Sequence, residues 1–281
     1  MINKERLQNL KIIVADLDGS LLNNDAAIGI RTKKLIDELQ CLGVQFSFAS
    51  GRLHSALIQY AGELNIKVPL ISLDGSLIKS YPGNNLIFES VVSEKYVRKA
   101  LHYADKFLLN IALCHADAIY YTETNSIMPS LIEKFGAKYE EVPEYNGFTG
   151  NTLEITIASD YKNNIKYVRD KMSFPYTFGL HTSYFRSRRN EGIFYLEISK
   201  NNTNKGKALK ILLNNLGIRQ SETAVIGDWY NDISLFLPKV LKVALNNSLP
   251  ELKRMADIEM PKDNNNDGAA DFLEMVLKAK K

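Results

Sequence analysis

Short apolar runs alternate with helical patterns in the first quarter of the chain. Residues 11–15 (KIIVA) form a continuous apolar run, typical of a buried parallel strand, and it ends at acids and glycine. A helical pattern follows and ends at Gly43. Two further runs, 44–49 (VQFSFA) and 69–73 (PLISL), flank a second helical pattern at 53–64. This order of elements predicts right-handed βαβ units and a parallel sheet.

The pattern changes between about residues 76 and 199. Segments rich in β-branched and aromatic residues occur at 76–81, 85–90, 153–158 and 193–198, and helical patterns lie near 93–108 and 161–172. This mixture predicts an α+β insert, with an antiparallel sheet and helices on one of its faces.

The alternation of strand and helix returns after the insert. The expected elements are a helix at about 205–216, a strand at 223–227, a helix from Asn231, a strand at 241–245 and a C-terminal helix near 269–279. We therefore expect an α/β fold in which both ends of the chain build one domain. Its Rossmann-like parallel-sheet core would comprise residues 1–81 and 201–281, and the inserted α+β domain residues 82–200.

The composition is that of an ordinary globular protein. The residues are 45% apolar and 24% charged. The length of 281 residues leaves room for one or two domains. The net charge of +3, from 35 basic and 32 acidic residues, is too small to indicate nucleic acid as a partner. No apolar run approaches the roughly 18 residues of a membrane span. We expect a cytoplasmic monomer or homodimer with no nucleic-acid or membrane partner.

Several polar residues carry no clear functional pattern. Cys41 and Cys114 fit neither a metal site nor a disulfide framework, so we interpret both as small buried hydrophobes in a reducing compartment. The histidines at 54, 102, 115 and 181 lack metal-ligand spacing and are expected at the surface or satisfied in the core. The arginines at 186, 188 and 189 are expected at a solvated edge.

Acidic side chains follow several of the predicted parallel strands. Asp16 and Asp18 follow the first strand, Asp74 the third, and Asp228 the strand after the insert, with Asp232 close behind. Ligands bind outside the carboxyl ends of the strands in open α/β sheets. Four of these carboxylates in one crevice, those of Asp16, Asp18, Asp228 and Asp232, would repel one another unless a cation is present. A hard divalent cation such as Mg²⁺ is therefore expected.

These residues suit phosphoryl transfer, which needs an in-line attack and neutralisation of negative charge. Asp16 could attack phosphorus and form an aspartyl-phosphate, while Asp18 could protonate the leaving oxygen and then deprotonate water. Gly19 allows a sharp turn at this point. Ser50 can donate a hydrogen bond to a phosphoryl oxygen, and Gly51 permits close approach of the backbone.

A single Asp after a strand is more often a cap or turn residue than a nucleophile. We prefer that interpretation for Asp74, but it does not explain why separate segments supply Asp16, Asp18 and Asp228 at one sheet edge. Lys205 begins a predicted helix, where a basic residue is unfavourable to the helix dipole, and this mismatch favours a functional role.

Four motifs appear in order along the chain: DLDGSLL at 16–22, ASGR at 49–52, NKGKAL at 204–209 and GDWYNDISLF at 227–236. Together they resemble the haloacid dehalogenase (HAD) superfamily, in particular Cof-type phosphatases with a large C2-type cap. The segments ALNNS at 244–248 and NDGAADFLE at 266–274 extend the similarity to the C-terminus. The insert is similar only in its position along the chain and in its mixture of β-rich segments and helical patterns.

The resemblance implies roles for individual residues. Asp16 matches the nucleophile and a metal ligand, and Asp18 the acid/base that also binds metal through its backbone carbonyl. Ser50 and Lys205 match the second and third motifs. The remaining assignments are Asp228 and Asp232 to metal binding, and Gly19, Gly51, Arg52, Asn231 and Asn247 to binding of phosphate or substrate. Trp229, between motif residues, could stack on a substrate ring or pack at the crevice rim.

The sequence departs from the family pattern at three positions. Ser20 and Ser50 stand where Thr is commoner, and both keep the hydroxyl group. Asp74 stands where relatives often have Asn, and an added negative charge there would disfavour an anionic substrate.

The resemblance implies a Mg²⁺-dependent phosphatase whose cap selects the leaving group of a small phosphorylated metabolite. Sugar phosphates are the preferred substrates, ahead of flavin mononucleotide and pyridoxal phosphate. One alternative is a phosphomutase, which uses the same intermediate. Others are a receiver-like regulatory module, which predicts a domain of about half this length, and a catalytically silent binding protein.

Overall fold

The structure is a computed structural model that describes residues 4–131, 137–187 and 190–281. The chain divides into two compact units. The first comprises Met1–Gly51, Leu57–Phe88 and Asn204–Lys281, and the second comprises Arg52–Ala56 and Glu89–Thr203.

The described residues form these helices: α1 (Lys4–Gln8), α2 (Ile30–Cys41), α3 (His54–Glu63), α4 (Glu94–Phe107), α5 (Met128–Leu131), α6 (Lys162–Lys171), α7 (Lys205–Leu216), α8 (Pro250–Met255) and α9 (Gly268–Lys280). The strands are β1 (Ile12–Ala15), β2 (Gln45–Phe48), β3 (Leu70–Ser72), β4 (Leu77–Lys79), β5 (Leu86–Glu89), β6 (Asn110–Cys114), β7 (Ile119–Tyr121), β8 (Tyr139–Glu141), β9 (Glu154–Ser159), β10 (Leu180–Arg186), β11 (Phe194–Lys200), β12 (Thr223–Ile226), β13 (Leu241–Ala244) and β14 (Ile258–Glu259).

The first unit is built on a five-stranded parallel sheet with the order β14-β13-β12-β1-β2. Strand β1 lies between β12 and β2, with Val14 opposite Val225 on one side and Ser47 on the other. Both β1 and β12 are buried along their whole length, as expected of apolar strands that are covered on both faces. The predicted parallel core, assembled from both ends of the chain, is confirmed.

Helices cover the two faces of this sheet. On one face, α2 and α9 pack through Leu39, Phe272 and Val276 against residues such as Phe46. On the other face, α7 packs through Leu209 and its neighbours against the opposite side of β1 and β12. The alternation of side chains along each strand thus supplies two cores from one sheet.

The third predicted strand meets the expectation only in part. Strand β3 lies beside β2, with one parallel bridge from Ala49 to Ile71 and a hydrogen bond from Ser47 Oγ to the carbonyl oxygen of Pro69 at 2.6 Å. On its other side it pairs antiparallel with β4, which neighbours β5. Residues 82–88, which we expected in the inserted domain, belong with the first unit. The units change at Phe88/Glu89 and Thr203/Asn204, later along the chain than the expected 81/82 and 200/201.

The second unit contains a six-stranded sheet with the order β10-β11-β9-β6-β7-β8. Its strands pair antiparallel except β7 and β8, which are parallel; the expectation of a purely antiparallel sheet is wrong at this pair. Helices α4 and α6 pack on one face, where Val97 and Val168 meet Ile155 and Leu196. This arrangement confirms the predicted α+β insert.

Some smaller expectations are corrected. Cys41 is exposed while Cys114 is buried, because the buried face of α2 runs through Leu35 and Leu39 and leaves position 41 on the opposite side. His115 is buried and its Nε2 lies 2.8 Å from the carbonyl oxygen of Phe148, as expected of a satisfied core histidine. Arg186 is exposed, whereas positions 188 and 189 lie outside the described residues. Among the helices described, none has the length and apolar character needed to cross a membrane.

Candidate active site

Asp16 and Asp228 stand at the carboxyl ends of adjacent parallel strands. The backbone N–H of Asp16 donates to the carbonyl oxygen of Ile226 at 2.9 Å, which extends the ladder between β1 and β12 by one residue. Both side chains are buried, with exposures of 5% for Asp16 and 7% for Asp228. The sheet register therefore brings the two predicted acids to one edge.

Lys205 enters the same site from the first turn of α7. The side chain of the preceding residue, Asn204, caps this helix by accepting a hydrogen bond from the N–H of Lys207 at 2.9 Å. Lys205 is fully buried, and its Nζ lies 2.7 Å from Oδ1 of Asp16 and 2.7 Å from Oδ1 of Asp232. A cation buried without such carboxylates would be very costly, so this ion pair is what allows Lys205 to lie here.

Asp232 organises the loop that carries Asp228. Its Oδ1 accepts from Lys205, while its Oδ2 accepts from the backbone N–H groups of Asp228 at 3.0 Å and Trp229 at 3.1 Å. This geometry requires the tight 3₁₀ turn at Tyr230–Leu235, which replaces the helix that we predicted from Asn231. Both oxygens of Asp232 thus fix the positions of other groups in the site.

The three buried carboxylates carry more negative charge than Lys205 neutralises. Ligand atoms of Asp16, Asp228 and Asp232 all lie within 4.8 Å of one another. Burial raises the pKa of Asp16 well above its ordinary value; Lys205 opposes this rise, and Asp232 and Asp228 add to it. Burial and the charge of Asp232 likewise raise the pKa of Asp228 to about 7, although Ser20 Oγ donates to its Oδ1 at 3.0 Å.

This donor set fits a hard divalent cation. Among the described residues, Asp16, Asp228 and Asp232 form a carboxylate cluster able to hold a metal ion, and Mg²⁺ prefers oxygen ligands of this kind. Asp18 is exposed and its carboxylate is not a member of that cluster. Metal binding by its backbone carbonyl stays a prediction.

The turn after Asp18 is closed by close contacts. Gly19 has φ +79°, and a Cβ there would lie 2.3 Å from Oδ2 of Asp228, so the position requires glycine. The Nδ2 of Asn247 donates to the carbonyl oxygen of Gly19 at 2.7 Å, and its Oδ1 accepts from the N–H of Asn264 at 3.1 Å. Asn247 therefore joins two loops through both of its polar groups; its contact with phosphate stays a prediction.

The second motif lies beside Asp74. Ser50 is buried, its N–H donates to the carbonyl oxygen of Ile71 at 3.0 Å, and its own carbonyl accepts from the N–H of Asp74 at 3.1 Å. A Cβ at Gly51 would lie 3.4 Å from the carboxylate of Asp74. Arg52 is buried and belongs to the second unit. The roles assigned to Ser50, Gly51 and Arg52 toward phosphate stay predictions.

The structure corrects the interpretation of Asp74 as only a turn residue. Its backbone is left-handed, with φ 49° and ψ 31°, but its carboxylate takes part in the site. Oδ1 accepts from Nδ2 of Asn231 at 2.9 Å and lies 3.8 Å from Nζ of Lys205. The signal was present in the sequence, because Asp74 follows its strand just as Asp16 follows β1.

Two serines that were assigned no role hold the site loops together. Ser248 Oγ accepts from the N–H of Leu245 at 2.9 Å and donates to the carbonyl oxygen of Gly227 at 3.1 Å. Ser234 Oγ accepts from the N–H of Gly206 at 3.1 Å. Both lie inside the quoted motif segments, but nothing in the sequence indicated which group their hydroxyls would meet.

Trp229 lies at the surface rather than in the core. It is 41% exposed, and its ring packs edge to face on Tyr230 with centroids 5.4 Å apart. The neighbouring ring of Tyr230 is 60% exposed. The contact with Tyr230 is compatible with both expectations stated for Trp229, stacking on a substrate and packing at the rim.

Fold and site together define a hydrolase of the α/β class, with a Rossmann-like parallel-sheet core and an inserted α+β cap, here the second unit. Residues 13–273 match the family of haloacid dehalogenase-like hydrolases, and the chain belongs to that family. It is similar to the phosphatase YwpJ of Bacillus subtilis, with 23% identity over 95% of this chain and 100% of that protein.

Solved structures share the fold. A haloacid dehalogenase-like hydrolase from Bacteroides thetaiotaomicron superposes with a TM-score of 0.83, at 24% identity, over 95% of this chain and 99% of that one. TM0651 from Thermotoga maritima gives a TM-score of 0.81, at 23% identity, over 94% of this chain and 97% of that one. The predicted family and fold class are confirmed.

Proposed function

We propose that the protein is a Mg²⁺-dependent phosphatase that hydrolyses small phosphorylated metabolites, sugar phosphates among them, through an aspartyl-phosphate on Asp16. One observation carries the proposal. The carboxylate of Asp16 stands at the end of β1 with Oδ1 held by Lys205 at 2.7 Å, inside a cluster of oxygen donors with Asp228 and Asp232. An oriented carboxylate beside a cation site is what an attack on phosphorus requires.

Asp16 supplies the nucleophile. The hydrogen bond from Lys205 fixes Oδ1, and the second carboxylate oxygen of Asp16 attacks phosphorus while the bond to the leaving oxygen breaks. Lys205 also places a positive charge beside the site of developing negative charge. A bound Mg²⁺, which the carboxylates of Asp16, Asp228 and Asp232 and the carbonyl of Asp18 would hold, supplies further neutralisation of the phosphoryl group.

Asp18 moves the protons of both half-reactions. Its exposed side chain lies two residues beyond Asp16, where it gives its proton to the departing oxygen. The resulting carboxylate then accepts a proton from the water that attacks the aspartyl-phosphate. That second step releases inorganic phosphate and restores both Asp16 and the protonated Asp18.

Binding of the phosphoryl group falls to neighbouring polar groups. Ser50 and Asn231 follow β2 and β12, with Asn231 held by its contact to Asp74, and their side chains donate to phosphoryl oxygens. The second unit recognises the leaving group and so sets which metabolite is hydrolysed. The similarity to the phosphatase YwpJ, over 95% of this chain, supports this reaction class.

The first test is hydrolysis of p-nitrophenyl phosphate by the purified protein. Activity should require Mg²⁺, disappear with EDTA and disappear in Asp16→Asn, which keeps the shape of the side chain but removes the nucleophilic charge. Asp25→Asn, at an exposed position, is the matched control and should keep full activity. Hydrolysis that survives in Asp16→Asn would exclude Asp16 as the nucleophile.

Two further measurements test the finer parts of the proposal. Acid-quenched enzyme should yield a phosphorylated peptide that contains Asp16, and the same peptide from Asp16→Asn should carry no phosphate. A panel of sugar phosphates and other phosphomonoesters should show the highest kcat/KM among the sugar phosphates. If a non-sugar phosphomonoester is preferred over all of them, the substrate assignment is wrong while the mechanism stands.

A further inference from the structure

The loop at residues 173–178 of the second unit has inverted polarity. Its small polar residues point inward: Thr177 is buried and its Oγ1 donates to the carbonyl oxygen of Lys171 at 2.8 Å, and Ser173 Oγ donates to that of Arg169 at 2.7 Å. Its aromatic residues point outward, with exposures of 76% for Phe174, 59% for Tyr176 and 65% for Phe178. Water-exposed loops ordinarily show the opposite arrangement.

A lysine of α4 makes hydrogen bonds to this loop. The Nζ of Lys99 donates to the carbonyl oxygens of Lys171 at 2.8 Å and Tyr176 at 3.3 Å, and to Oγ1 of Thr177 at 2.6 Å. A lysine ammonium has three donors, which matches these three acceptors, two in the loop and one at the end of α6. The outward-facing rings therefore lie on a loop that is held by hydrogen bonds from Lys99.

The exposed rings continue into a larger surface. Lys171 Nζ lies 3.7 Å from the ring centroid of Tyr176 and 5.4 Å from that of Tyr167. Tyr167 in turn packs edge to face on Phe107 at 5.3 Å, and Leu108, the next residue, is 87% exposed. We call this surface the aromatic patch; it comprises Leu108, Tyr167, Phe174, Tyr176 and Phe178, with the half-buried Phe107 at its border with the core.

The helices that border the aromatic patch are strongly basic. Helix α4 carries four basic and two acidic residues, and α6 carries four basic and one acidic. The two helices thus carry a net charge of +5, compared with +3 for the whole chain, although Arg98 and Arg169 pair with acids of their own helices. Lys106 lies over the ring of Phe107 at 5.5 Å, so positive charge is interleaved with the rings.

The combination of exposed aromatic rings and basic residues favours one kind of binding partner for the aromatic patch over others. A second copy docked through the same patch would bring lysine-rich helices against each other, which like-charge repulsion disfavours. An anionic lipid surface satisfies both properties, because its headgroups attract the lysines and its interfacial layer accepts protruding aromatic and aliphatic side chains. We propose that the aromatic patch binds the surface of an anionic lipid bilayer. The expectation of no membrane partner rested on the lack of a spanning segment, which does not bear on surface binding.

Co-sedimentation with lipid vesicles tests the proposal on the full-length protein. The protein should sediment with vesicles of phosphatidylcholine mixed with phosphatidylglycerol but not with phosphatidylcholine alone, and binding should weaken as salt rises. Phe174→Ser/Phe178→Ser and Lys106→Glu/Lys171→Glu should each lower the vesicle partition coefficient at least about tenfold. The matched control is Ile30→Ser in the first unit, which removes an apolar residue of 85% exposure outside the patch.

The outcomes are distinguishable. Phe174→Ser/Phe178→Ser and Ile30→Ser should keep the wild-type thermal unfolding midpoint, since their side chains are exposed. Binding that is equal for neutral and anionic vesicles, or unchanged in Phe174→Ser/Phe178→Ser, overturns the proposal. So does a wild-type dimer in analytical ultracentrifugation that this double variant dissociates, because the patch would then join two copies.

Discussion

The ammonium of Lys205 and the carboxylate of Asp16 lie 2.7 Å apart although they are separated by 189 positions in the chain. Lys205 is completely buried. Burial opposes its charge, but Asp16, Asp232 and Asp74 raise the pKa of Lys205 above its ordinary value. These carboxylates therefore keep the buried Lys205 protonated, and the pairing makes Lys205 important for stability as well as for chemistry.

Replacement of Lys205 should reveal this dual role. In Lys205→Met, buried carboxylates lose their counter-ion, and we expect the free energy of unfolding in EDTA to fall by about 3–5 kcal/mol. The value of kcat should fall by about 10²-fold or more. Urea denaturation and p-nitrophenyl phosphate hydrolysis measure the two effects. Lys210→Met, at an exposed position of the same helix, should change neither, and equal stability of the two variants would contradict the assignment.

The raised pKa of Asp228 predicts a specific pH dependence. Its folded value of about 7 lies above the ordinary carboxyl value, so between about pH 4 and pH 7 the folded protein holds a proton that the unfolded chain has released. The metal-free protein should therefore lose stability as pH rises through this window, by at most about 1.4 kcal/mol per pH unit from this group. Asp16, whose pKa is also raised, acts in the same direction.

Thermal unfolding in EDTA at several pH values between about 5 and 8 measures this effect. Asp228→Asn should have a flatter profile than the wild type, because the titrating group is gone. Added Mg²⁺ should raise the wild-type midpoint more at the high end of the range, since metal binding requires ionised carboxylates. A wild-type profile parallel to that of Asp228→Asn would show that Asp228 does not titrate in this window.

Asp74 places a negative charge where an anionic substrate must bind. Asp74→Asn keeps an acceptor for Nδ2 of Asn231, now 2.9 Å from Oδ1, and asparagine tolerates the left-handed backbone at φ 49°. The substitution thus isolates the charge. We expect KM for p-nitrophenyl phosphate to fall by about threefold to tenfold at low salt with a smaller change in kcat, and the difference to shrink at high salt. An unchanged or higher KM would assign Asp74 a different role.

The sequence predicted those parts of the fold and site that depend on local pattern and strand order. Apolar runs located β1 and β12, and the acids after them indicated which sheet edge holds the chemistry. The sequence could not reveal that β3 pairs antiparallel with β4 as well as bridging to β2, since the same short apolar run suits either partner. Cys41 and the turn at Tyr230–Leu235 depended on packing that a one-dimensional pattern does not contain.

In the site, too, some features followed from local sequence pattern and others depended on tertiary contacts. The motifs identified Asp16, Lys205 and Asp228 as residues that meet, because each stands at the end of an element whose direction was predictable. The involvement of Asp74 with Asn231 depends on a left-handed backbone at Asp74, which asparagine and aspartate adopt only in some turns. Side-chain contacts across loops, such as that of Ser234 with Gly206, required the structure.

Gly206 tests whether the geometry of α7 holds the site together. A Cβ at this position would lie 1.9 Å from the carbonyl oxygen of Ser234, so alanine, although the better helix former, must push α7 away from the turn that carries Asp232. We expect Gly206→Ala to lower the free energy of unfolding by about 1–3 kcal/mol. We also expect kcat to fall, because the preceding residue, Lys205, would shift away from the carboxylates of Asp16 and Asp232. Gly147→Ala, where a Cβ would meet no atom within 4 Å, should leave both quantities unchanged in urea denaturation and phosphatase assays. Wild-type stability in Gly206→Ala would show that the turn at Tyr230–Leu235 yields without cost.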